Sequence, residues 1–102
     1  MKIIKCLCEL IEEEIDDACK YIDLAMKWKV DEPDTANVFY ELSLAEMEHM
    51  DKLHNEVVEL IEEYRKENGE QPKEMMVLYD YLHQKHIGDA TQVRVKQGMF
   101  KA

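Results

Sequence analysis

Glu14, Glu46 and His49 are the residues of this chain that could do chemistry together. Each interrupts an otherwise apolar helical stripe, and a charged side chain seldom holds such a position without a partner. Two carboxylates and an imidazole offer the oxygen and nitrogen donors that suit iron, manganese or zinc. Glu46 and His49 are three residues apart, so on a helix they share a face. Three such donors are half of a carboxylate-bridged dinuclear set. The full set takes a Glu from each of two helices and a Glu-x-x-His from each of two more. Two copies of the chain, related by a twofold axis, would supply it, so this chemistry requires a homodimer or a higher homo-oligomer.

The elements that must position these residues read as three helices, over about 3–29, 35–67 and 73–100, in a single domain spanning 1–102. In the first, Ile3, Leu7, Leu10/Ile11, Glu14, Ala18, Tyr21, Leu24/Ala25 and Trp28 recur in steps of three and four. Pro33 breaks the pattern, and Asp34 or Thr35 is placed to cap the next helix. The second stripe is Phe39, Leu42, Glu46, His49, Leu53, Val57, Leu60 and Tyr64, closed by Asn68-Gly69. Pro72 suits the first turn of a third helix, which Gly88 and Gly98 weaken. In an antiparallel hairpin turning near Glu32, Glu14 lies opposite Glu46 and His49 to within about one helical turn. The first two helices would be roughly 40 and 50 Å long, and apolar stripes on such rods call for a partner chain. The expected architecture is all-α: a long antiparallel hairpin plus a third helix, with a four-helix bundle completed by homodimerisation.

Composition narrows the function classes. The chain has 102 residues with 3 Gly and 2 Pro, which favours long helices. A net charge of -10 argues against nucleic acid and against an anionic membrane surface. No apolar run reaches the roughly 20 residues needed to span a bilayer. The opening Met-Lys-Ile-Ile-Lys-Cys-Leu-Cys turns acidic at Glu9 without a small-residue cleavage site, so no secretory leader is expected there. Cys6, Cys8 and Cys19 follow no disulfide framework and read as reduced thiols of a cytoplasmic protein.

Glu14 with Ala18 and Tyr21 after it, then Phe39-Tyr-Glu-Leu-Ser-Leu-Ala-Glu46-Met-Glu-His49, resembles the ferritin-like superfamily. Rubrerythrins and the two-helix encapsulated ferritins look most similar, over roughly residues 7–60. In that family the first-helix Glu and the second-helix Glu-x-x-His bind a di-iron centre. The resemblance carries those roles to Glu14, Glu46 and His49, and suggests Tyr21 as a neighbour of the site. It implies iron, in a dinuclear centre shared between two chains, with manganese or zinc as alternatives, and ferroxidase-like oxidation of Fe(II). The chain lacks a second Glu/Glu-x-x-His pair and a rubredoxin-like Cys-x-x-Cys, so neither a covalent four-helix bundle nor rubrerythrin electron transfer is implied. Nothing in its residues specifies a compartment or shell partner.

Lesser candidates are Asp17, Tyr21, Asp80 and His83. Glu12, Glu13, Asp16 and Asp17 read as a solvated face, of which Asp17 lies one turn from Glu14 and could be an accessory ligand. Asp80-x-x-His83 repeats the Glu-x-x-His form. Folding the third helix back about Glu70 sets His83 opposite Val57, however, roughly 12 Å from the height of His49. His54 reads as a surface residue and His86 as packing. The rival reading is a helical oligomerisation or partner-binding module in which Glu14, Glu46 and His49 form a structural polar network.

Overall fold

The computed structural model describes residues 2–102. They form three helices, α1 (Lys2–Trp28), α2 (Pro33–Asn68) and α3 (Lys73–Lys101), in a rod of 56 × 20 × 18 Å. All described residues outside the helices lie in turns and chain ends, so the architecture is all-α.

α1 and α2 form the closest pair. Ala18, Ala25, Ala36 and Ser43 are fully buried, and side chains this small let the two backbones approach. Ser43 Oγ donates to the Ala18 carbonyl at 2.7 Å, and Gln97 Nε2 of α3 donates to Ser43 Oγ at 2.9 Å. One buried hydroxyl therefore joins all three helices. On the side of it away from the α1–α2 turn, Ile4, Leu7, Cys8, Ile11 and Ile15 of α1 pack with Met47, Met50, Val57 and Ile61 of α2 and Ala90 and Val93 of α3. A second cluster near the α1–α2 turn holds Ile22, Ala25, Ala36 and Phe100.

Local chemistry sets the helix ends. α2 begins at Pro33, two residues before the expected Thr35, and Glu32 rather than Asp34 or Thr35 takes the N-cap position without a side-chain cap. Proline suits the first helical position because its fixed φ is already helical and its missing N–H would have had no partner. The Ala36 N–H then donates to the Glu32 carbonyl at 2.8 Å. At the other end Gly69 takes φ 78° and donates to the Arg65 carbonyl, a left-handed closure that suits glycine. Pro72 stands just outside α3, not within its first turn, and its carbonyl accepts from Met75 and Met76. α3 continues without a break through Gly88 and Gly98.

The position of α3 rotates the buried faces away from the expected stripes. Lys85 pairs with Glu12, Lys96 with Asp23 at 2.8 Å and Arg94 with Asp51 at 3.4 Å. Glu12, its side chain 41% exposed, thus joins an interhelical ion pair at the solvated edge. These contacts lay α3 along one side of the α1–α2 groove. The buried face of α1 becomes Ile4, Leu7, Cys8, Ile11, Ile15, Ala18, Ile22 and Ala25. Of the expected stripe, Ile3, Leu10 and Trp28 are exposed, as is Leu42 on α2. They line the opposite edge of the groove, which α3 leaves open.

Ser43→Ala should lower stability by about 1–3 kcal/mol, because it leaves the buried Gln97 amide without its acceptor and removes the link to Ala18. In a domain of this size each kcal/mol corresponds to roughly 4–8 °C in melting temperature. Gln97→Leu, which leaves the Ser43–Ala18 bond in place, should cost less. Thermal melts of the two variants would check the order.

Candidate metal centre

The open edge of the α1–α2 groove carries the three residues that the sequence singles out. Ala18 lies one turn after Glu14 and Ser43 one turn before Glu46, so the Ser43–Ala18 bond sets the height at which the carboxylates meet. Glu14 Oε2 is 3.4 Å from His49 Nδ1, and Glu46 Oε2 is 3.8 Å from the same nitrogen. One donor atom from each of the three lies within 4.8 Å of the others, and among the described residues they are the one His/Cys/Asp/Glu group of this kind.

Burial and charge differ within the group. The Glu14 and Glu46 side chains are 23% and 19% exposed, whereas that of His49 is 60% exposed. Glu14 Oε2 is itself buried and has no hydrogen-bond partner. The Glu14 carboxyl facing Glu46 raises the Glu46 pKa, because the two can share a proton, with burial and like charge adding to it; His49 opposes the shift in part. Two carboxylates this close and half-buried favour either a proton or a cation between them.

The donor set fits a divalent first-row cation. Carboxylate oxygen and imidazole nitrogen bind such ions at roughly 2.0–2.2 Å, and donors spanning 4.8 Å reach a common point after side-chain shifts of a few tenths of an ångström. The exposed imidazole leaves the outer side of the group open to solvent or to another chain. Glu14 and Glu46 come from helices packed against each other, and His49 Nδ1 already faces both carboxylates.

The lesser candidates lie elsewhere. Asp17 is exposed and outside the group. Tyr21 stacks on Phe39, with ring centroids 6.5 Å apart, across the α1–α2 groove. His83 stacks on His54 at 5.0 Å and on Tyr79 at 5.7 Å, on the α3 side of the rod. Asp80 is exposed beside Arg65 and Glu62. His54 is half-buried rather than a surface residue, because α3 covers it. Sequence reasoning missed Ser43 and Gln97; a serine midway along an apolar stripe was the available signal for the first.

Comparisons of the chain with family models, with curated proteins and with solved structures return no match. The geometry of the described residues therefore stands as a helical protein with an acidic and histidine group suited to a metal ion. No helix among those residues is long and apolar enough to cross a membrane.

Outside this group, two imidazoles with buried Nε2 atoms make stability depend on pH. His54 Nε2 and His86 Nε2 are buried without hydrogen-bond partners. Burial lowers both pKa values; the nearby His83 adds to the shift at His54, and at His86 Glu12 opposes it. The native state therefore favours the neutral rings. The stability they contribute is complete above the unfolded histidine value of about 6.5 and is lost as pH falls through their lower folded values. Urea midpoints should fall between pH 7 and pH 5, and His54→Gln or His86→Gln should reduce that dependence.

Proposed function

We propose that two copies of this chain join along the open edges of their α1–α2 hairpins and enclose a dinuclear iron centre, as the resemblance to ferritin-like proteins implies. The observation that carries the reading is the meeting of Glu14, Glu46 and His49 from two helices, with donor atoms within 4.8 Å and two carboxylates facing each other. The apolar edge around them supports it. Ile3, Leu10, Trp28, Val38 and Leu42 are exposed on α1 and α2, on long helices that would bury them against a second hairpin. A twofold axis beside His49 would bring together four Glu and two His, in a ferritin-like four-helix bundle.

In that assembly Glu14, Glu46 and His49 of each chain would together hold the iron. The bound iron supplies a one-electron Fe(II)/Fe(III) couple, with oxygen or peroxide as the electron acceptor. The carboxylates balance the higher charge of the oxidised ion. Their apolar surroundings strengthen that attraction relative to water. Manganese or zinc would satisfy the same donors without the same redox chemistry.

One observation favours a second reading. His49 lies within ion-pair distance of both carboxylates, so the group can serve as a polar network that sets the register of a purely structural dimer. The two readings predict different responses to metal. With a metal centre, Fe(II) or Zn(II) at a hundredfold excess over Kd should add about 2.7 kcal/mol and raise the melting temperature, and chelator should reverse the gain. With a structural network, metal should leave the melt unmoved, and Glu46→Leu should hold or improve stability.

Anaerobic calorimetric titration with Fe(II), on protein of known solution mass, tests the site directly. The expected result is one iron per chain in a dimer or larger assembly, with saturable binding lost in Glu46→Ala and Fe(II) oxidation lost with it. Unchanged affinity and oxidation rate in Glu46→Ala would overturn the assignment.

A further inference from the structure

A cavity of about 240 Å³ lies at one end of the rod, between the start of α1, the end of α2 and the first turns of α3. Ile4, Cys8, Ile61, Met76, Tyr79 and Leu82 are among its walls. Burial pushes the Cys8 thiol up, so it stays neutral and acts as one more apolar surface. The charges on the lining are those of Lys2 and Lys5, both exposed, and no carboxylate borders it. This is unusual in a chain where 23 of 102 residues are acidic. Gln71 also borders the cavity and is 7% exposed. Its Nε2 donates to the Ile61 carbonyl at 3.4 Å, but its Oε1 is buried without a partner.

We propose that this cavity binds a single-chain anionic amphiphile. Its alkyl chain lies among Ile4, Ile61, Met76 and Leu82, and its head pairs with the ammonium groups of Lys2 and Lys5. The apolar walls select the chain by burial. The two lysines select the sign of the head, because theirs are the charged side chains among the lining residues. The cavity lies among α1, α2 and α3 away from Glu14, Glu46 and His49, so the proposal is independent of metal binding.

The test is octanoate titrated into the full chain carrying carbon-13 methionine methyls, followed by NMR, with octylammonium and octanol as the comparison ligands. Octanoate should shift the Met75 and Met76 methyls saturably and leave Met26 and Met50 in place. Octylammonium should bind roughly five- to tenfold more weakly, as two partly screened ion pairs imply. Lys2→Glu with Lys5→Glu should reverse that preference; Lys2→Gln with Lys5→Gln should abolish it. Circular dichroism would confirm that the helices persist. Equal binding of all three ligands, shifts confined to Met26 or Met50, or no saturable shift would each overturn the proposal.

Discussion

The Ser43 hydroxyl is the interaction on which the arrangement of this molecule depends. It donates to the Ala18 carbonyl on α1 and accepts from Gln97 on α3, in a region without solvent access. Apolar packing alone would let long helices slide by a turn at small cost, since one Ile or Leu replaces another. A buried hydroxyl and amide permit no such slip, because each would lose its partner. The register so fixed places Glu14 opposite Glu46, one turn away from the bond on each helix. Small residues at 18, 25, 36 and 43 let the helices approach close enough for the bond to form.

The second constraint is that α3 covers one side of the groove and leaves the other open. Its ion pairs with Glu12, Asp23 and Asp51 all lie on its own side. The hairpin therefore has two apolar edges, one filled within the chain and one bearing the acidic group. This division explains how residues on a nominally apolar stripe can be half-buried. They stand at the boundary between a finished core and a surface that remains exposed.

Much of this was legible in the sequence, for reasons that can be assigned. Steps of three and four gave the helices, and distances counted from the turn near Glu32 gave the height match of Glu14 with Glu46 and His49. The same counting separated His83 from them, and the structure sets His83 on His54 instead. The rotation of the buried face was not legible. Leu7, Ile11, Ala18 and Ala25 belong to both the expected and the observed stripe, and only the placement of α3 decides that Ile15 and Ile22 go inward while Leu10 and Trp28 stay out. Pair-specific bonds such as Ser43–Gln97 were equally hidden, since they link residues 54 positions apart with no local pattern. The cap at Glu32 was missed because proline's suitability for a first helical turn outweighed the capping side chains that follow it.

The third helix is fastened unevenly along its length. Near its end, Lys29 donates to the Phe100 carbonyl, and Phe100 stacks on Tyr40 at 4.9 Å. Near its beginning it packs beside a cavity and leaves Val77, Leu78 and Tyr81 exposed. The molecule is thus mechanically polar, stiff at the hairpin turn and compliant at the opposite end. A pull or a thermal fluctuation would peel α3 from its head toward its tail, and the peeling would stop at the buried hydroxyl, which lies between the compliant end and the stiff one.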